Sequence, residues 1–125
     1  MIGYVTLGTN DLHRAATFYD ALLADLGAKR LWASDSGVGW GVGMDKPALA
    51  VMKPFDGQPA TRGNGTMVAL VVQKPEQVNA LHAKALSLGA QDEGAAGPRG
   101  AGFYCGYCRD LDGNKLNFFC MGQGG

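Results

Sequence analysis

The sequence predicts an α+β fold in which a βαβββ module occurs twice in tandem. Three observations lead there. Two apolar helical repeats end alike, at Leu26-Gly27-Ala28 and at Leu88-Gly89-Ala90. Each follows one strand-like run and precedes several more, so an outline repeats at roughly half the chain length. The third is Phe103 to Met121, where two aromatic, cysteine-bearing runs flank Asp112-Gly113-Asn114, the composition of a β-hairpin turn.

Ile2 to Leu7 reads as a strand, and Thr9-Asn10-Asp11 supplies a helix N-cap. Leu12, Ala15, Ala16, Tyr19, Leu22, Leu23 and Leu26 recur at helical spacing, and Gly27 closes that helix. Ala28 to Ala33 returns as a strand. Gly37 to Met44 alternates glycine with Val38, Trp40, Val42 and Met44, which suits a strand with its large side chains on one face. Pro47 to Lys53 makes a further strand before a loop rich in Gly, Pro and Asn. Thr66 to Val72 opens the second module, and Pro75-Glu76 starts its helix, with Val78, Leu81, Ala85 and Leu88 on one face and Gly89 as the cap. Ala90 to Ala96 returns as a strand, and Gly94 to Gly102 is expected to be a loop. The chain is thus one domain, 1-125, with module one at 1-55, a linker at 56-64, module two at 65-121 and a Gly-rich tail at 122-125.

Hairpin register decides which side chains meet. With Arg109 opposite Lys115, Tyr107 faces Asn117 and Cys105 faces Phe119 on one side of the sheet; Cys108 with Leu116, and Tyr104 with Cys120, take the other. Leu116, Phe118 and Cys120 suit packing under helices. Asn117, a polar amide among aromatics, marks the first side as the wall of a pocket.

At 125 residues and 46% apolar content the chain can bury a real core. Its net charge of zero removes the electrostatic term that non-specific nucleic-acid binding depends on, and no basic amphipathic helix is present, so nucleic-acid and membrane-surface partners are not expected. No basic lead precedes the first strand and no apolar run approaches a membrane span, which points to a cytoplasmic protein. Three cysteines fit a reducing compartment. On a strand Cys105 and Cys108 point to opposite faces, so they read as packing residues rather than a redox or metal pair. Asp110 to Asn114 is a turn rather than a calcium loop, because the twelfth position is Met121 and not glutamate.

The run Phe103-Tyr104-Cys105-Gly106-Tyr107-Cys108-Arg109-Asp110-Leu111-Asp112-Gly113-Asn114-Lys115-Leu116-Asn117 resembles the C-terminal signature of the vicinal oxygen chelate superfamily. That superfamily includes glyoxalase I, bleomycin-resistance proteins, fosfomycin-resistance enzymes and extradiol dioxygenases. The resemblance implies a glyoxalase-like fold, in which two modules curl into a cup-like half-barrel with helices outside, and it implies a homodimer. It also implies a divalent ion held by the first strand of each module and the last strand of the second. Those positions fall on Tyr4, Met67 and Asn117, with a fourth near Ala50. A phenol titrating near pH ~10, a thioether and an amide are poor ligands for such an ion, so the metal site reads as degenerate and no cofactor is expected. His13 and His82 lie on the helices, and the acids map to helices, turns and strand ends, so none restores the site.

By alternation the concave face carries Tyr4, Thr6, Trp40, Val42, Met67, Ala69, Cys105, Tyr107, Asn117 and Phe119. Tyr4, Thr6, Trp40, Met67, Tyr107, Asn117 and Phe119 are the expected ligand-binding residues, for a small apolar or aromatic molecule. No catalytic residue is assigned. The alternatives are a metal-dependent lyase or dioxygenase resembling lactoylglutathione lyase, and an interaction protein whose cup is filled by its own side chains.

Overall fold

The computed structural model describes residues 1–121; the Gly-rich tail at 122–125 lies outside the described residues. In chain order the elements are β1 (Tyr4–Gly8), α1 (Leu12–Ala24), β2 (Lys29–Ala33), β3 (Gly37–Gly41), β4 (Ala48–Met52), β5 (Met67–Val71), α2 (Pro75–Ser87), β6 (Gln91–Pro98), β7 (Phe103–Arg109) and β8 (Lys115–Met121). This is βαβββ twice, an α+β fold. The chain divides into compact units at Met1–Arg62 and Gly63–Gly125, so the expected linker belongs mostly to the first.

Both units have the same strand order, β1-β4-β3-β2 and β5-β8-β7-β6. In each, the last strand lies between the first, to which it runs parallel, and the third, to which it runs antiparallel. A parallel pair needs a long crossover, and the helix with the two strands after it supplies one.

Local chemistry sets the helix ends. The Asp11 carboxylate accepts the Arg14 N–H at 3.1 Å at the start of α1. Pro75 opens α2, where the Gln77 side-chain Oε1 accepts the backbone N–H groups of Gln73 and Lys74, both at 3.0 Å. Gly27 and Gly89 leave the helices with φ of 74° and 104°, values that side-chain-bearing residues rarely adopt.

Ala15, Ala16, Phe18, Tyr19, Leu22 and Leu23 are the buried face of α1, and Leu7, Val38, Trp40, Leu49 and Val51 are buried in the sheet of the same unit. In the second unit the buried face of α2 is Val78, Leu81, His82 and Ala85, beside a core of Val72, Cys108, Leu116, Phe118 and Cys120. All three cysteines are buried free thiols, and burial pushes the Cys108 thiol up to about 12.

One segment differs from the expected loop. The glycine-rich run from Gly94 is strand up to Pro98, because β6 pairs with β7 through irregular registers at Asp92/Gly94 and Gly94/Gly97. Bulges absorb the surplus residues, so glycine content alone is a poor guide to the backbone here.

Candidate functional site

Each sheet has a helix on one face and an open face opposite. In the first unit the helix side is marked by Trp40, whose indole N–H donates to Asp20 Oδ1 on α1 at 2.8 Å and whose ring lies 5.5 Å from that of Tyr19. Trp40 is therefore not on the concave face where alternation alone puts it. The large residues and glycines of β3 do alternate, but the parity is inverted: Trp40 is 1% exposed beneath α1, and the glycines take the open face. An indole N–H buried in the core needs an acceptor, and Asp20 provides it.

The open face of the first unit follows from register. Thr6 pairs with Ala50, and Ala50 with Gly39. Tyr4 is 60% exposed and meets Trp32 edge-on, with ring centroids 5.3 Å apart. The bulge between Arg30 and Trp32 lets consecutive β2 side chains lie over the glycines of β3: Trp32 covers Gly39 and Leu31 covers Gly41, while Met52 covers Gly37. Trp32, not Trp40, is thus the tryptophan beside the predicted ligand-binding residues of this unit.

At one end of that face lies a groove of about 1060 Å³, lined by Thr6, Ser36, Met52, Lys53, Phe55 and Pro59 among others. Its outer wall is the segment at 53–61, a strand end and linker in the sequence. Asn10 holds that wall, its Oδ1 accepting the Ala60 N–H at 2.7 Å and its Nδ2 donating to the Ala60 carbonyl at 3.3 Å. Sequence alone does not single out Met52 and Phe55 as candidates, and the asparagine beside the N-cap is the only clue to this long-range tie.

In the second unit α2 packs on the face of Gly106, where an added Cβ would meet the His82 ring at 3.2 Å. His82 Nε2 lies 3.1 Å from Asp92 Oδ1 and 3.2 Å from the Tyr107 carbonyl, so that imidazole ties helix to sheet on the side away from the candidate residues. The opposite face forms three rows across β5, β8 and β7: Met67, Lys115 and Arg109; Ala69, Asn117 and Tyr107; Val71, Phe119 and Cys105. Met67, Tyr107, Asn117 and Phe119 all lie on this face.

Asn117 is 7% exposed, and its buried side-chain oxygen has no hydrogen-bond partner. Across from it the Tyr107 ring has Lys115 Nζ 5.2 Å and the Arg99 guanidinium carbon 5.5 Å from its centroid. The Cys105 side chain, with burial, holds the Tyr107 phenol above its ordinary value. Arg109 is engaged by Glu93 at 3.1 Å, which makes Glu93 an acid on the open-face side although none was expected there.

Chemistry decides the fit of a divalent ion. Tyr4, Met67 and Asn117 offer a phenol, a thioether and an amide, without imidazole or formal negative charge, and this donor set does not fit. Among the described residues no three His, Cys, Asp or Glu side chains gather as a metal site.

The chain matches the family model of the Glyoxalase/Bleomycin resistance protein/Dioxygenase superfamily over residues 1–118, and it belongs to that superfamily. A glyoxalase/bleomycin resistance protein from Albidiferax ferrireducens T118 is 35% identical, with 98% of this chain and 99% of that chain covered and a TM-score of 0.87. A hypothetical protein from S. aureus is 26% identical over 96% of this chain and 92% of that one, with a TM-score of 0.75. Lactoylglutathione lyase from Agrobacterium tumefaciens, 18% identical over 96% and 92%, shares the fold at a TM-score of 0.70. No curated protein matches. Among the described residues no helix is long and apolar enough to cross a membrane.

Proposed function

We propose that this chain binds a small, largely apolar or aromatic molecule on its open sheet faces, without a divalent metal, as a sequestering or sensing member of its superfamily. One observation carries the reading: the open faces leave Tyr4, Met67, Val71 and Phe103 at 37% exposure or more beside polar side chains that can orient a ligand but not chelate an ion. Such a lining suits a small-molecule site, with apolar contact area supplying affinity and a few polar groups fixing the pose.

The test pairs elemental analysis of the purified protein with a ligand screen read through tryptophan emission. A ligand in the first unit alters Trp32 emission, and in a Trp32→Phe variant the remaining signal, from Trp40, stays unchanged. Stoichiometric zinc, nickel, manganese or iron would overturn the metal-independent reading in favour of lyase or dioxygenase chemistry. A broad library of apolar and aromatic compounds that shows no binding by tryptophan emission or calorimetry would remove the ligand itself.

A further inference from the structure

We infer that the open face of the second unit selects an aromatic carboxylate with a hydrogen-bond donor between its ring and its acid group. The inference rests on the small-molecule reading above and names the class of molecule.

Strand β8 presents three different chemistries in succession on that face: the Lys115 ammonium, the Asn117 amide and the Phe119 ring. Same-face neighbours on a strand stand roughly 6.5–7 Å apart. Lys115 does not stay in its own row, because its Nζ lies 5.2 Å from the centroid of Tyr107, the residue opposite Asn117. The ammonium therefore leans toward the amide, and the three groups fall within the length of one small ligand.

Two of the three have a capacity that the protein itself leaves unused. Among the described residues no carboxylate pairs with Lys115, whereas its neighbour Arg109 is taken by Glu93 at 3.1 Å and by the Gly113 carbonyl at 3.1 Å. Arg99 gives its N–H groups to the carbonyls of Ala95, Gly97 and Pro98, yet its charge remains beside Tyr107. Two positive charges thus border one ring, while Glu93 is spent on a third, Arg109. The Asn117 oxygen is the second capacity. A buried carbonyl oxygen without a donor is costly to keep, and a ligand that brings a donor would satisfy it. Ala69, opposite Asn117 on β5, has only a methyl group, with Met67 and Val71 on either side of it. Ring, donor and acid therefore have separate partners in order: Phe119 with its neighbour Phe103, centroids 6.0 Å apart; the Asn117 oxygen; and Lys115 with Arg99.

N-benzoylglycine has this order, so it serves as the probe. Isothermal titration calorimetry would compare it with N-benzoylglycinamide, which lacks the charge, and with the benzoyl ester of glycolate, which replaces the N–H by oxygen. Each change is expected to weaken binding about tenfold, and the charge effect should fade with added salt. Lys115→Met should sharply reduce the preference for acid over amide, with Arg99 alone left beside Tyr107, and Lys115→Arg should retain it. Asn117→Leu should erase the preference for amide over ester while leaving Tm unchanged or higher, because it removes an unsatisfied buried oxygen. A merely structural asparagine would lower Tm when replaced. Equal affinity for all three probes, or preferences left undiminished by Lys115→Met and Asn117→Leu, would overturn the inference while leaving small-molecule binding in place. If the three probes fail to bind but uncharged aromatic compounds succeed, the class is wrong. If nothing apolar or aromatic binds, the underlying reading has failed instead.

Discussion

Asp20 serves two partners with one carboxylate. Arg30 meets it with two N–H groups, at 2.9 and 2.8 Å, and the Trp40 indole donates to it at 2.8 Å. The Arg30 hydrogen bond, and then that of Trp40, hold its pKa below the ordinary carboxylate value. A carboxyl whose folded value lies below its unfolded value of about 4 contributes its full stability above that point, and loses it as pH falls through the folded value. The wild type should therefore lose Tm below about pH 4 more steeply than Asp20→Asn, as measured by circular dichroism melts. With the Asp20 side chain 44% exposed, solvent screens the ion pair and the slope difference should be modest. Asp20→Ala is more severe, since it strands a buried indole N–H at a cost of about 1–3 kcal/mol. Asn keeps an acceptor oxygen and should cost less; equal losses would mean that the indole bond carries little.

At the level of elements, the glycines of β3 are a packing device. Gly37, Gly39 and Gly41 give the strand a bare face on which Met52, Trp32 and Leu31 lie flat. Gly39→Ala would drive a methyl into the Trp32 indole, so we expect a loss of about 1–3 kcal/mol from overpacking and an altered Trp32 emission. An unchanged spectrum would show that Trp32 does not rest there. This strand also marks how far sequence can be read. Period-2 alternation reveals that Trp40 and the glycines occupy opposite faces, but not which face a helix covers; that depends on Asp20, twenty residues away in the chain. In the β7–β8 hairpin a short turn dictates register, so the Tyr107–Asn117 and Cys105–Phe119 pairs are legible residue by residue. The groove wall at 53–61 is not, because loops have no periodicity and this one is held by Asn10 from far along the chain.

For the molecule as a whole, the duplication is the most legible feature, since two matched helix ends and one hairpin suffice to give βαβββ twice. Sheet order leaves no such trace in residue patterns, because it depends on pairings between strands far apart in the chain. In both units the first strand finds its partner only in the last: Tyr4–Gly8 pairs with Ala48–Met52, and Met67–Val71 with Lys115–Met121. Removing residues from 115 onward should expose β5 and α2 to limited proteolysis while the first unit stays protected. Survival of β5 in that truncation would mean that it does not depend on β8. On the ribosome the same order imposes a delay. Each opening strand emerges early and waits unpaired until its closing strand is made, so the nascent chain is at its most adhesive, and most in need of a chaperone, just before either module is finished.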